Sequence, residues 1–497
     1  MNCLLVYPEF PDTFWSFKHA LHFVGKRSAL PPLGLLTVAA MLPLGWPKRL
    51  VDLNVAILAD ADLDWADCVF LSAMTVQRTS VRLIIARCKA RGVRIIAGGP
   101  LFTSEPEQFD EVDHLVLNEG ELTLPPFLHD LEVGIPKHIY ATSEFADLHK
   151  SPVPLWDLLD RDAYATMAVQ YSRGCPFDCE FCNVTALLGH VPRTKSAAQV
   201  IGELQALYDL GWHRGVFFVD DNLIGNKKAL MIDLLPSLID WRTRNPGMDF
   251  NTEASINLAD DAAMMNQMVK AGFTMVFVGI ETPDAASLAE CNKKHNLNRD
   301  MVADVKRMQR AGLQVQGGFI VGFDSDTSSS VSRILDFIQR AGIASAMVGL
   351  LQAMPGTRLH ERMKESGRLL EQVTSGDNVN GTSNIIPQMD AMVLREQYRD
   401  GLRRLYSPKA YYSRVRTFLL EYKISRSNAP FSLRYELQQL LAFARSIGRL
   451  GIVGRERAEY WKLLMWTLFR RPKAFPLAIT LAICGYHFRR TCEVHLA

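Results

Sequence analysis

The sequence predicts an α/β protein made of an N-terminal doubly wound parallel sheet, a central partial (β/α)6 barrel and a helical C-terminal extension. Three observations predict it. Short apolar runs alternate with helical stretches over residues 1–140 and again over 164–360, the β/α pattern of parallel sheets. These runs close on glycine, small polar or acidic residues, as strands do at the carboxyl ends where such sheets bind ligands. Beyond residue 390 the chain turns dense in arginine and aromatic residues at helical spacing. The expected organisation is a sheet domain at 1–140, a linker at 141–163, a barrel at 164–360, and a connector with helical extension at 361–497.

In the first unit, strands are expected at 3–7, 49–53, 68–73, 94–97 and 114–117, with helices at 33–42 and 79–91. Their ends read Pro8-Glu9-Phe10, Ser72-Ala73-Met74-Thr75-Val76-Gln77, Gly98-Gly99-Pro100 and Asn118-Glu119-Gly120-Glu121. Glycine lets a backbone approach a ligand closely. Thr75, Gln77, Gly98, Gly99, Glu119 and Gly120 are therefore candidates for contacting a bound group, although a tight turn explains any one of them alone.

The second unit has strands at 168–171, 215–219, 249–252, 275–279, 315–321 and 346–351, separated by helices such as 197–210 and 262–271. They close on a cysteine-rich loop, Asp220-Asp221-Asn222, Glu253, Glu281, the glycines Gly317, Gly318 and Gly322, and Met354-Pro355-Gly356-Thr357. In a barrel this carboxyl face holds the site. Residues 360–400 read as a polar connector that includes the run 376–384. The most apolar stretch of the tail, 475–484, has ten residues, whereas a membrane span needs about 20.

The loop reads Arg173-Gly174-Cys175-Pro176-Phe177-Asp178-Cys179-Glu180-Phe181-Cys182-Asn183, which is C-x3-C-x2-C. Thiolates hold iron–sulfur clusters, and three of them on a four-iron cubane leave one iron free for a cofactor or substrate. The competing reading is structural zinc, which requires a fourth ligand. The other six cysteines are scattered, and 1–7 reads as a strand rather than a leader, so a reducing cytoplasmic setting is expected. Net charge is +2, yet residues 401–497 hold 18 Lys/Arg against 5 Asp/Glu, a net of +13, which leaves −11 on the first 400. Such a tail commonly meets something anionic.

The cysteine loop resembles that of radical S-adenosylmethionine (SAM) enzymes. With Pro31-Pro32-Leu33-Gly34-Leu35-Leu36, Gly98-Gly99-Pro100, Asn118-Glu119-Gly120-Glu121, Val191-Pro192-Arg193-Thr194-Lys195, Asp220-Asp221-Asn222 and Met354-Pro355-Gly356-Thr357, the chain is similar to their cobalamin-binding subgroup. Its helical extension resembles the branch that includes the hopanoid C-2 methylases. The resemblance implies a cobalamin-binding sheet domain, a radical SAM barrel, and as cofactors a [4Fe–4S] cluster, SAM and cobalamin. Asn118 stands where the subgroup often has glycine. No D-x-H-x-x-G occurs in 1–140, so the cobalt is expected to lack a histidine ligand, with the loop 74–77 covering its lower face.

By the same resemblance, Cys175, Cys179 and Cys182 ligate the cluster and Phe181 packs near the adenine. Asp221 and Asn222, with Asp220, meet the methionine amino group or the substrate. Glu253 and Glu281 meet that group or the ribose. Gly318, with Gly317 and Gly322, admits the adenosine. Arg193 and Lys195 hold a carboxylate or a substrate anion. The implied reaction is methylation of an unactivated carbon of a small-molecule or lipid substrate, using one SAM for hydrogen abstraction and another to restore the methyl group. The partners are then an electron donor such as flavodoxin or ferredoxin and, through the basic tail, the inner membrane surface; no nucleic acid is expected. Three other readings stay open: cyclisation or rearrangement without methyl transfer, a methylthiotransferase, and a non-catalytic cobalamin sensor.

Overall fold

The computed structural model describes residues 1–370, 374–377, 379–424 and 433–496. Asn378, within the connector run singled out above, lies outside them. A six-stranded sheet, parallel throughout, comes first, built from β1 (Cys3–Tyr7), β2 (Lys48–Asp52), β3 (Cys68–Ser72), β4 (Arg94–Gly98), β5 (His114–Val116) and β6 (Ile139–Tyr140), in the order β2-β1-β3-β4-β5-β6. Neighbouring residues of its strands enter opposite cores. Leu4, Val69 and Ile95 face one side and Cys3, Cys68 and Ile96 the other. Both faces are covered, which is why these strands read as unbroken apolar runs. Strand order reverses between β1 and β3, and the crevice there is where doubly wound sheets take ligands.

The chain continues with β7 (Met167–Val169), then a short antiparallel pair, β8 (Ser172–Arg173) with β9 (Arg193–Thr194), which brackets the cysteine loop. Next come β10 (Val216–Phe218), β11 (Phe250–Glu253), β12 (Phe273–Glu281), β13 (Gln314–Val321) and β14 (Ala346–Leu350). With β7 they form a second parallel six-stranded sheet, in the order β14-β13-β12-β11-β10-β7. Among the described residues β7 and β14 do not pair, so the barrel is open.

Helices Ala391–Leu405, Pro408–Glu421, Leu433–Ser446, Arg457–Arg470 and Phe475–Leu496 form the extension. The last is fastened to the N-terminal segment: Phe488 stacks on Phe14 at 4.2 Å between centroids, and the His487 ring meets the Phe14 carbonyl at 2.9 Å. Some tail cations are structural. Arg414 is wholly buried against the Tyr406 and Tyr411 rings, and Arg489 pairs with Glu456 at 2.7 Å. No helix among the described residues is long and apolar enough to cross a membrane.

Three elements depart from expectation. The edge strand β6 and the pair β8/β9 have two residues per strand, too few to show a period. The polar connector begins inside a helix, Arg358–Glu365, capped by Thr357 accepting the His360 N–H at 3.1 Å. Only Leu359 and Met363 of it are buried. Its charged side chains make contacts of their own: Arg362 reaches Glu180 of the cysteine loop at 2.6 Å and Asp324 at 2.9 Å.

Candidate active site

The cysteine loop leaves β8 through Gly174, whose φ of +93° favours glycine. A Cβ there would lie 2.8 Å from the Val191 carbonyl oxygen and 3.0 Å from those of Leu188 and Gly189. The loop is held from three sides. The Cys175 N–H donates to Gly189 at 3.2 Å, the Glu180 N–H to Cys291 at 3.0 Å, and the side chains of Asn292 and Arg358 donate to the Asp178 carbonyl at 2.8 and 2.6 Å.

All three thiols are half-buried, and burial pushes them up, Cys182 to about 12. A bound metal would be needed to hold them as thiolates. Their sulfurs are not gathered with a further His, Cys, Asp or Glu within 4.8 Å of one another, as they would be around a single ion. The fourth protein ligand that structural zinc requires is therefore not supplied there by the described residues.

Beside the loop, the Asn222 amide points at the Cys175 sulfur at 4.0 Å and its oxygen accepts the Ser255 N–H at 3.2 Å. Lys293 lies buried against Glu281 at 2.5 Å, with its ammonium 5.8 Å from the centre of the Phe181 ring. Burial alone would lower this lysine. The Glu281 carboxylate outweighs it, with the nearby sulfurs adding, and holds the group charged.

Between the carboxyl ends of the two sheets lies a cavity of about 740 Å3. The first sheet contributes Met74, Val76, Gly98, Gly99, Asn118 and Gly120, and the barrel contributes Gln170, Asp221 and Glu253. Phe14 and Trp15 form part of its wall. Gly98 and Gly99 present bare backbone. Side chains there would strike the Val116 carbonyl oxygen and the Ser72 hydroxyl, each at 2.5 Å. Among the described residues, no histidine lines the cavity. An apolar crevice with bare backbone at the sheet's switch point fits a broad planar cofactor.

Asp221 and Glu253 line this cavity and form no ion pair among the described residues, although Lys293 acts on Glu253 from nearby. Burial raises them, Asp221 to about 6 and Glu253 to about 8, the latter helped by Asp221, Asp220 and Glu281. A cation or a hydroxyl donor entering beside them would return them to the ionised state.

Several of the expected contact residues are engaged by the protein itself or lie outside the cavity lining. Thr75 and Gln77 point away from the cavity, because the residues around them form a tight turn: the Gln77 side chain accepts the Met74 N–H at 2.9 Å and donates to Pro8 at 2.6 Å. Their neighbours Met74 and Val76 face it instead. The Glu119 carboxylate is fully engaged by Arg193 at 2.8 Å, by Arg173 at 3.3 Å and by the Ala146 N–H. Arg193 is thereby spent, as is Lys195 on buried Glu203. Asp220 is enclosed, accepting from Ser172 and from the Tyr171 N–H at 3.1 Å. Glu281 is spent on Lys293. Gly318 makes room for the Phe277 ring, which a Cβ would meet at 2.8 Å. Phe181 sits half-buried by the cysteines and leans on Phe323 at 6.4 Å.

Sequence reasoning missed Lys293, Trp15 and the pairing of Arg173, and within the loop 74–77 it singled out Thr75 and Gln77 where Met74 and Val76 line the cavity. A visible signal existed only for Arg173, which directly precedes the cysteine loop.

Residues 27–128 match the family model of the B12 binding domain, 169–338 that of the Radical SAM superfamily, and 357–496 a domain of unknown function (DUF4070). The chain is 41% identical to the uncharacterized methyltransferase sll1242 of Synechocystis sp., over 99% of this chain and 92% of that protein. It is 31% identical to the hopanoid C-2 methylase of Rhodopseudomonas palustris, over 94% and 89%. In fold it is similar to the cobalamin-dependent SAM radical enzyme OxsB, with a TM-score of 0.63 at 16% identity over 95% of this chain and 80% of that one. It is also similar to the radical SAM methyltransferase TsrM from Kitasatospora setae, with a TM-score of 0.61 at 14% identity over 95% and 100%.

Proposed function

We propose, from the premise that this chain belongs to the cobalamin-dependent radical SAM methyltransferase family, that it methylates an unactivated carbon of a lipid-like small molecule. The observation that carries the reading is the cavity itself. Its bare-backbone sheet ends, its unpaired carboxylates and the open cysteine triad next to them converge from two domains. The [4Fe–4S] cluster, SAM and cobalamin, when bound, supply hydrogen abstraction from carbon and the methyl group that replaces the hydrogen.

The chain's own residues bind, orient and exclude water. Cys175, Cys179 and Cys182 hold the cluster, and Asn222 steadies Cys175. Asp221 and Glu253 accept from the amino and hydroxyl groups of SAM. Gly98, Gly99 and Gly120 would let the corrin approach backbone, and Met74 and Val76 would hold it on the side of the loop 74–77. Phe14, Trp15 and the apolar lining shield the reacting carbon and favour an apolar substrate. A low-potential donor such as flavodoxin or ferredoxin supplies the electron. The basic extension makes peripheral contact with a membrane surface.

Incubation of the anaerobically reconstituted enzyme with candidate lipids and a reductant is expected to yield 5′-deoxyadenosine, S-adenosylhomocysteine and a product heavier by one methyl group. 5′-Deoxyadenosine with a product of unchanged mass would favour rearrangement or cyclisation instead.

Because no histidine among the described residues lines the cavity, and because Met74 and Val76 would displace the cofactor's own base, bound cobalamin is expected to give an electron paramagnetic resonance spectrum without hyperfine splitting from an axial nitrogen. A clear nitrogen splitting contradicts the assignment of Met74 and Val76 to the lower face.

A further inference from the structure

Two helices of the extension carry apolar stripes that the fold leaves bare. Leu433, Leu437, Leu440 and Leu441 recur at the spacing of one helical face, and all are exposed. Trp461, Met465, Leu468 and Phe469 repeat that spacing on the later helix, with Phe469 at 77% exposure. The later helix already buries Tyr460, Leu463, Leu464 and Thr467 in the core, so its outward stripe is a second apolar face. The turn Ile447–Val453 exposes Ile452 and Val453. The Trp461 indole N–H donates to the Gly451 carbonyl at 3.0 Å, so this turn and the second stripe adjoin.

The charges around these stripes are mostly positive, with Glu436 and Glu459 the acidic residues of the two helices. Arg455, Arg457, Arg470 and Lys473 are exposed and form no ion pair among the described residues. A self-complementary contact between two copies would crowd these cations together. An anionic lipid surface would neutralise them while the leucines and aromatics enter the headgroup boundary.

The same unit touches the cavity wall. Helix Leu433–Ser446 packs on helix Lys18–Val24, where Arg445 donates to the Phe23 carbonyl at 2.9 Å. The segment just before that helix supplies Phe10, Thr13, Phe14 and Trp15 to the cavity lining.

Resting on the reading of a lipid-like substrate, we infer that this two-helix face inserts into an anionic bilayer surface and sets the cavity wall beside the membrane that holds the substrate. It adds apolar insertion, on named residues, to the contact expected from charge.

The test uses the full-length holoenzyme and vesicles of phosphatidylcholine alone or with phosphatidylglycerol. Wild type is expected to co-sediment with the phosphatidylglycerol vesicles and only weakly with the neutral ones. The double variant Leu468→Asp/Phe469→Asp is expected to lose binding by on the order of tenfold even at low salt. Its unfolding midpoint and its substrate-free formation of 5′-deoxyadenosine should stay unchanged. Equal binding by variant and wild type would overturn the inference. So would a wild-type dimer that ignores vesicles and dissociates in the variant, since the face would then be a self-interface. Methyl transfer is scored separately by S-adenosylhomocysteine and product mass. Vesicle binding without methylation leaves the face standing and removes the proposed reaction; methylation without vesicle binding does the reverse.

Discussion

Replacing Cys175, Cys179 and Cys182 together by alanine is expected to abolish the brown chromophore of the reconstituted protein and all formation of 5′-deoxyadenosine. The three sulfurs are the only local ligands in a loop pinned by contacts from three sides. Among the described residues no further His, Cys, Asp or Glu gathers with them to complete a four-ligand metal site. The fold should survive, because the loop's anchors are backbone groups and the side chains of Asn292 and Arg358, none of which the substitutions touch. Iron analysis and the near-ultraviolet spectrum read the loss, and far-ultraviolet circular dichroism reads the fold. A triple variant that still binds about four irons and cleaves SAM would show that the cluster lies elsewhere.

The second large effect concerns the joint between the two sheets. Arg173 binds Glu121 at 2.8 Å and Glu119 at 3.3 Å, Arg193 binds Glu119 at 2.8 Å, and the Ser151 hydroxyl donates to Glu121 at 2.6 Å. All four charged side chains are at most 19% exposed. Glu119 and Glu121 sit at the start of helix Gly120–Glu132 of the first domain, and both arginines belong to the strand pair that brackets the cysteine loop. Arg173→Ala would strand buried carboxylates, and breaking such a pair costs about 3–5 kcal/mol. A clear drop in the denaturation midpoint is therefore expected, together with lower iron content as the loop loses its anchor. A change below about 1 kcal/mol, the size of an ordinary surface substitution, would show the network to be incidental.

The same network predicts an acid limb. Burial would raise the Glu121 carboxyl, but its bonds to Arg173 hold it down at about 2 against an ordinary value of 4.5. Its contribution is thus fully present above pH 4.5 and is lost as pH falls towards 2. The loss is of order 3 kcal/mol. Glu121→Gln should be less stable at neutral pH and should lack that part of the acid limb. A variant with an unchanged acid limb would assign it to other groups.

Much of this protein could be read along the chain. The order of strands and helices was legible because apolar period is a local property, and the parallel strands, covered on both faces, leave continuous runs such as Cys3–Tyr7. The cysteine triad was legible because its ligands lie within eight residues of sequence. The glycines Gly98 and Gly99 were legible because a missing side chain shows directly.

What stayed hidden was which polar residues are free. Glu119, Asp220, Glu253 and Glu281 all look alike as acidic residues at strand ends. Glu119 and Glu253 both line the cavity, but among the described residues only Glu253, with Asp221, does so without an ion pair. Glu119 meets Arg173 and Arg193, 54 and 74 residues away, and Asp220 meets Ser172, 48 residues back. The loop 74–77 hid its facing residues in the same way, because a tight turn, not strand alternation, decides which side chains point inward. Sequence determined the chemistry available and its order along the chain. Tertiary structure decided which charges are spent on one another and which remain for a ligand, because a charge is neutralised by what lies within a few ångströms of it in space, and that distance is set by the fold.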